Sequence, residues 1–402
     1  MSMSGSLPLI IHDLQDSQLF ALAQAAGRAG IPVEGTCQPE EPWIRSSRYV
    51  RKAVTMPCLN EVTSSIYALN LRNAGLSGVW LPCTDDMAAF TARYRALLEK
   101  LGMRFLIADS DTVYRSQDFE QLPAVPGLGK PFGGMFTVAD TYARLPEFDY
   151  PLLVKTQRSA YQRIDSAADF EAYLDANQGR EYADMGIEIQ SYIPGEVNRM
   201  ASAIMLLDGD SRVVRGFTGR RLRVEPTKFG PFGETTAARA EWIPELYEGA
   251  SELLTSLGWQ GFAEVECKQD SDGRWQLMEV NPRLSGWSCL AEADGAGLLA
   301  AYHRICADGA KLEEACLQRS QAEYVRVIAT CYHDPDWAAT TVADDSGIKR
   351  LRRLFSALRR EMKHPDTVSL GAWDRRDLRA SLQLLRHTIR RLWALWRGRK
   401  TL

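Results

Sequence analysis

The stretch GFAEVECKQDSDGRWQLMEVNPR, residues 261–283, carries Glu264, Glu266, Glu279 and Asn281 in two apolar runs separated by a polar turn. Asp272-Gly273 is a strong two-residue turn signal. With Ser271 paired to Arg274 across it, Glu266 faces Glu279 and Glu264 faces Asn281. Side chains two apart share a strand face, so the four polar groups are expected to project together. Phe262, Val265, Cys267, Met278 and Val280 are expected on the other face. Opposed carboxylates repel and are costly to bury unpaired, so something positive should sit between them. Carboxylate and amide oxygens suit Mg2+ or Mn2+ bound with nucleotide phosphates, not zinc. Arg283, just beyond the second run, has the planar fork that grips phosphate or carboxylate. The competing reading is a solvated polar face with surface arginine pairs, and the pattern alone leaves both open.

Other elements must position this hairpin. LPLIIHD, IPVEGTC, GVWLPCTDD and MRFLIAD read as strands. SQLFALAQAAGRAG, stopped by Gly30, and MAAFTARYRALLEKLG read as helices. This alternation implies a parallel sheet with right-handed crossovers, with function near Asp13 or Thr84-Asp85-Asp86 at the carboxyl ends of strands. The Pro- and Gly-rich LPAVPGLGKPFGGMF marks a boundary or a loop. YPLLVKTQ and MGIEIQSYIPGE are strand-like and flank the helical SAADFEAYLDANQ. ASAIMLLDGDSRVVRGFTGRRLRV reads as a hairpin turned at DGDS, and IPELYEGASELLTSLG as a helix leading into the carboxylate hairpin. From about Asp344 the chain becomes basic, helical and amphipathic. In the last helix Leu378, Leu382, Leu385, Ile389, Leu392, Trp393 and Trp396 recur at helical spacing with arginines between. That stripe fits either a membrane interface or packing on the protein body or a partner subunit.

The chain has 402 residues, 45% hydrophobic and 25% charged, with formal net charge -3, which suits two or three structural units and argues against a whole-chain nucleic-acid binder. Eight scattered cysteines without a CxxC pair read as reduced thiols rather than a disulfide or zinc framework. The five histidines share no spacing, so none is given a catalytic role. The start, MSMSGSLPLIIHDLQD, lacks the basic region of a signal peptide, and no apolar run approaches the ~20 residues of a membrane span. The expected location is the cytoplasm.

YPLLVKT, IEIQSYIPGE and GFAEVECKQDSDGRWQLMEVNPRLSG, in this order, resemble the ATP-grasp superfamily and specifically its carboxylate–amine ligases. The resemblance runs from Leu7 to about Ala310. It implies an α/β plus α+β fold: a parallel pre-grasp α/β domain (1–112), a small lid lobe (113–193) and a central lobe with the metal hairpin (194–325). The two lobes would clamp ATP between antiparallel sheets, and residues 326–402 would form a basic helical extension. Lys155 would contact the α- and β-phosphates, and the Gln190–Ile193 hinge would read adenine through the backbone of Tyr192 and Ile193. Glu196 would bond the ribose. Glu266, Glu279 and Asn281 would hold one or two Mg2+ ions (or Mn2+), with Glu264 a spare. Arg283 would stabilise the transferring γ-phosphate, and Arg221, with Arg220 second, would sit near phosphate or substrate. An earlier phosphate-binding base would be Arg115 or Lys130. KTQRSAYQRI lacks the family's glycine-rich loop, leaving Arg158, Ser159 or Tyr161 to cover the phosphates. The implied partners are a small-molecule carboxylate and an amine, selected by loops near Asp13, Thr84, EPTKFGPFGET and Trp287. A homodimer and a peripheral membrane contact through the last helix are both compatible with this reading. A carboxylase-like member and a nucleotide-binding protein without ligase activity are the alternatives.

Overall fold

The computed structural model describes residues 6–38, 42–60, 62–116, 118–156, 160–177, 187–224, 233–325, 367–370 and 374–396. Short apolar runs near the start form four parallel strands: β1 (Leu9–Ile11), β2 (Val33–Cys37), β3 (Val50–Thr55) and β4 (Val79–Trp80), in the order β3-β2-β1-β4. Helix α1 (Ser17–Arg28) starts where the Asp16 carboxylate accepts from the N–H groups of Gln18 and Leu19, and Gly30 follows it with φ 81°. Three further helices are α2 (Pro42–Ser46), α3 (Ser64–Ala74) and α4 (Asp85–Arg93), the last capped by Thr84. β1 lies between β2 and β4, so the chain crosses to opposite sides of it, and Asp13 and Thr84 stand at that switch point. MRFLIAD, expected as a strand, supplies only isolated bridges from Arg104 to Val79 and from Ile107 to Gly261. β3 escapes a hydrophobicity search because it is a charged, part-exposed edge strand.

A small antiparallel sheet contains β6 (Gly133–Phe136), β7 (Leu152–Thr156), β8 (Ala160–Ile164) and β9 (Ile187–Ser191), in the order β6-β9-β7-β8. A larger sheet contains β5 (Leu128–Gly129), β10 (Met200–Leu207), β11 (Val213–Val224), β12 (Thr235–Ala240), β13 (Gly261–Gln269), β14 (Trp275–Asn281), β15 (Glu323–Val325) and β16 (Thr367–Leu370). Its order is β16-β15-β12-β11-β10-β13-β14-β5. Two features depart from the expected layout. β5, in the stretch assigned to the small lobe, pairs parallel to β14 of the large sheet. β16, in the stretch assigned to a helical extension, pairs parallel to β15, so both edges of this sheet are parallel. KRLRRLFSALRREMKH lies outside the described residues.

One continuous core joins the parallel sheet to the large one: Phe20, Leu22 and Trp43 pack in the same cluster as Ile204, Phe217, Phe262, Trp287 and Tyr302. Phe262 therefore shares the Glu264 face instead of opposing it, as the parity of its position requires. On the reverse face, Leu246 and Leu253 of the helix Pro244–Ser256 cover Met205, Val265 and Cys267. The small lobe has a separate core of Phe136, Phe148, Val154, Phe170 and Ile189. These separate cores leave the small lobe facing the large sheet across a cleft.

The C-terminal helix (Leu378–Trp396) packs against α2 through Ala380 and Leu384, with the His387 ring 4.7 Å from that of Trp43. An acidic clasp precedes it. The buried Asp377 carboxylate accepts from Gln24 Nε2 (3.2 Å), Ser47 Oγ (2.5 Å) and Arg48 N (2.8 Å), and Asp374 pairs with Arg28 at 2.7 Å. The docked face is not the leucine stripe, because Leu378 and Leu382 remain exposed. Among the described residues, no helix is long and apolar enough to cross a membrane.

Two carboxylates at the end of the short helix Cys289–Ala293 hold neighbouring backbone in place. Asp294 is 1% exposed, and its oxygens accept four backbone N–H groups, from Arg319, Ser320, Gln321 and Ala322, at 2.7 to 3.0 Å. Asp294→Ala orphans all four donors and is expected to cost about 3 kcal/mol or more, measured as a lower urea midpoint. Burial pushes the Glu292 carboxyl up to about 7, against the opposing backbone N–H bonds from Leu299 and Leu298. Between about pH 4.5 and about 7 the folded chain thus keeps a proton that the unfolded chain has released, so stability falls as pH rises through that window. Glu292→Gln is expected to raise the thermal midpoint above neutral pH and to leave it unchanged in mild acid.

Candidate active site

β13 and β14 pair antiparallel with Glu264 opposite Asn281, Val265 opposite Val280 and Glu266 opposite Glu279. The expected cross-strand partners are present, reached by a different route. The turn spans Asp270–Arg274, closed by Asp270 N to Arg274 O at 3.0 Å, and Gln269 opposes Trp275. Ser271 therefore does not pair with Arg274 across a two-residue turn. That change of register is undone at the irregularity between Glu266 and Cys267, where Met278 is the extra residue. Met278 lines the cleft beside Glu279, and its carbonyl accepts from Gln190 Nε2.

Cations from three other elements meet these carboxylates. Arg221 on β11 reaches across β10, passing Ser202 Oγ at 3.4 Å, to Glu266 Oε1 at 2.6 Å and Glu264 Oε1 at 3.7 Å. The small Ser202, which opposes Glu266 in the β10–β13 pair, leaves room for that crossing. Arg283 donates from Nη1 to Glu264 Oε2 at 3.2 Å and from Nε to Asp85 Oδ1 at 3.0 Å, tying the hairpin to the start of α4. Lys155 on β7 of the small lobe lies 2.7 Å from Glu279 Oε1 and 3.7 Å from Glu188 Oε2. Asn281 Nδ2 donates to Glu266 Oε1 at 3.1 Å, and Trp287 Nε1 to Glu264 Oε1 at 2.9 Å. Burial raises the Glu266 carboxyl, helped by Glu264 and opposed by Arg221. For Arg221 and Arg283, burial works against the charged form, but the surrounding carboxylates outweigh it and hold both guanidinium groups protonated.

These residues line a cleft of about 810 Å³ between the small lobe, the large sheet and the pre-grasp strands. Its hinge end is formed by Leu153, Gln190, Tyr192, Ile193 and Met200, a largely apolar slot. Gln190 is 6% exposed and donates from Nε2 to Met278 O at 3.1 Å, joining the two lobes. The Tyr192 N–H is taken by Pro151 O at 3.0 Å, so that group is not available to read a base; the Tyr192 carbonyl and Ile193 remain. Arg163 lies 4.4 Å and Lys268 5.6 Å from the Tyr192 ring centroid. Burial lowers the Lys268 pKa, and nearby Glu196 opposes that shift.

Several expected residues lie elsewhere. Arg115 pairs with Asp111 at 3.0 Å, and Lys130 donates to the carbonyls of Leu122 (2.6 Å) and Glu120 (3.2 Å); neither lines the cleft. Arg115 thus makes a local ion pair and Lys130 local carbonyl bonds, and neither is brought to the carboxylate hairpin. Arg220, the second choice beside Arg221, points away and pairs with Glu241 at 2.7 Å. Glu196 stands exposed at the mouth, between the cleft-lining Gly195 and Val197. Residues 157–159, the Tyr161 side chain and most of EPTKFGPFGET lie outside the described residues.

Other lining groups went unmarked in the sequence. Lys268 follows Glu264 and Glu266 in the same alternation, so extending that count by two positions finds it. Glu264, treated as a spare, is the most deeply buried of the acids, at 1% exposed. The far wall is acidic: Asp13, Asp16 and Asp85 line it from the pre-grasp side. Asp13 is held at φ 49° after β1, and although burial works to raise its pKa, the His12 side chain and charge bring it below the usual carboxylate value. Among the described residues, no group of three or more His, Cys, Asp or Glu is gathered for a metal ion. The donors nevertheless fit a hard cation in kind. Glu266 and Glu279 are direct cross-strand partners beside an amide oxygen, and each is neutralised by a cation that a phosphate can take over.

No family model matches the sequence, and no curated protein matches it. Solved structures do match the fold. The biotin carboxylase domain dimer of Hydrogenobacter thermophilus 2-oxoglutarate carboxylase, in complex with MgADP, ADP and bicarbonate, aligns with TM-score 0.58 and 14% identity over 79% of this chain and 74% of that one. L-amino acid ligase from Bacillus licheniformis aligns with TM-score 0.53 and 18% identity over 77% and 76% of the two chains. Biotin carboxylase from Campylobacter jejuni, in complex with β-γ-ATP, gives TM-score 0.56 and 13% identity over 79% and 74%. With its parallel sheet, small antiparallel lobe and large sheet enclosing one cleft, this chain has the ATP-grasp fold.

Proposed function

We propose that the protein is an ATP-dependent ligase that joins a carboxylate to an amine through an acyl-phosphate and releases ADP and phosphate. The observation that carries this reading is the meeting of Glu266, Glu279 and Asn281 with Lys155, Arg221 and Arg283 in one cleft. The solved relatives named above include an amino acid ligase and complexes with MgADP, which supports ATP and Mg2+ as the nucleotide and ion. The adenine is assigned to the slot of Leu153, Ile193 and Met200, and the phosphates run toward Lys155. Glu266, Glu279 and Asn281 would hold Mg2+, whose chemistry there is to neutralise phosphoryl oxygens. Glu196, at the mouth, is the candidate for the ribose hydroxyls.

In this assignment the substrate carboxylate attacks the γ-phosphorus, and the bond to the ADP oxygen breaks. Arg283, held in place by Glu264 and Asp85, faces the negative charge on the transferring group. The amine then attacks the acyl carbon, the bond from that carbon to the phosphate oxygen breaks, and the proton lost by the amine ends on the departing phosphate. Arg221 holds Glu266 in register and is a second candidate to face phosphate. The acidic wall of Asp13, Asp16 and Asp85 gives an ammonium-bearing substrate a place to dock before it loses a proton. A second reading is a carboxylase that activates bicarbonate, which the biotin carboxylase relatives favour.

A coupled ADP assay over a matrix of carboxylates and amines separates these readings. The ligase reading expects Mg2+-dependent ADP release that needs both an acid and an amine, with a condensed product by mass. Release with bicarbonate and no amine would install the carboxylase instead; tight ATP binding without turnover would leave only a nucleotide-binding protein. Glu279→Ala is expected to lower turnover by about 100-fold or more. Glu264 supplies a finer check. Glu264→Ala leaves two buried guanidinium groups short of a partner and is expected to destabilise by about 3–5 kcal/mol. Glu264→Gln keeps the acceptor for Trp287 and is expected to fold, with kcat reduced more than KM is raised because Arg283 is less well anchored.

A further inference from the structure

We infer that the outward face of the C-terminal helix is a docking surface for an anionic lipid headgroup layer. The helix has three faces. Ala380, Ser381 and Leu384 turn inward to the body of the protein, and the upstream Asp374 and Asp377 fix that orientation. A second face carries Leu378 (51% exposed) and Leu382 (41% exposed), with Leu385 partly exposed beside them. The third carries Arg379, Arg386 and Arg390, all exposed. At 100° per residue the arginine row lies beside the leucine row and away from the docked face. In the sequence the leucine row continues at helical spacing to Trp393 and Trp396. Packing on the protein body therefore leaves the amphipathic stripe unspent.

The charge chooses the occupant. Residues 378–402 contain seven Arg and Lys and no Asp or Glu, although the whole chain has a net charge of -3. A second copy docked face to face would bring two arginine rows together, a like-charge contact that opposes association. An anionic membrane surface meets both rows at once: the exposed leucines enter the headgroup boundary while the arginines remain among the phosphates. The contact is peripheral, since the described helix is not apolar enough to span. Helix α1 links this surface to the cleft. Its Gln24 and Arg28 hold the tail, and its Gln18, with the Asp16 cap, lines the cleft.

The test is sedimentation of full-length protein with vesicles of phosphatidylcholine alone or mixed with phosphatidylglycerol. Retention is expected on the mixed vesicles only and is expected to weaken with added salt. The double variant Leu378→Glu/Leu382→Glu replaces exposed residues, so its thermal midpoint should match the parent while its vesicle affinity falls by about tenfold or more. Arg379→Ala/Arg386→Ala should lower affinity and flatten the salt dependence. Equal partitioning of parent and leucine variant overturns the inference, as does absence of retention on mixed vesicles at low salt. A parent dimer that the leucine variant converts to monomer in light scattering, without vesicles, also overturns it and gives the stripe to a second copy. None of these readouts depends on catalysis, so the inference and the proposed ligase activity fail separately.

Discussion

Direct pairing of Glu266 with Glu279 across two antiparallel strands sets a charge problem that the rest of the chain must answer. Neither carboxylate can be left buried and alone, and neither strand carries the cation that neutralises it. Arg221 comes from β11, Lys155 from the other lobe, and the neighbouring Glu264 takes Arg283 and Trp287. Each answer also fixes something mechanical. Arg221 ties three strands of the large sheet together, Arg283 ties the hairpin to α4, and Lys155 ties one lobe to the other.

The same constraint explains the division of cores. The parallel sheet and one face of the large sheet share a single apolar cluster, so the pre-grasp wall and the carboxylate hairpin form one rigid surface. The small lobe has its own core and meets that surface through polar bonds, Lys155 to Glu279 and Gln190 to the Met278 carbonyl. Polar contacts of this kind can be exchanged for ligand contacts without opening a core. An apolar interface at that place would resist entry of a charged ligand.

Much of this was legible in the sequence, for identifiable reasons. Strict alternation exposes Glu264, Glu266, Glu279 and Asn281, and a positive-φ Gly273 with short polar residues around it marks the turn. The bulge at Met278 was not legible, because an inserted residue on a half-apolar strand leaves the local pattern unchanged. Arg221 and Arg220 are adjacent and identical in type, and only the strand register shows that one crosses to Glu266 while the other turns to Glu241. The resemblance left Arg115 and Lys130 open as the earlier basic residue, and no local pattern shows that Arg115 pairs with Asp111 one helical turn away or that Lys130 bonds the Leu122 carbonyl. The C-terminal helix is similar. Its hydrophobic stripe is plain, but the docking face is chosen by Asp374 and Asp377, whose partners lie more than three hundred residues earlier.

The last consequence concerns how charge moves through the cleft. With Lys155 on Glu279 and Arg221 on Glu266, the two cross-strand carboxylates at the centre of the cleft are each already paired with a cation. A divalent ion arriving alone would have to displace those cations and leave them unpaired, and a polyphosphate arriving alone would strand the carboxylates. In the proposed ATP reading, a polyphosphate that brings its ion would exchange both sets together: Lys155 would turn to phosphate and Glu279 would be among the groups that hold the ion. On that reading the internal ion pairs would favour joint entry over either component by itself. The discrimination comes from the carboxylates' need for a partner, the same need that the β13–β14 register creates.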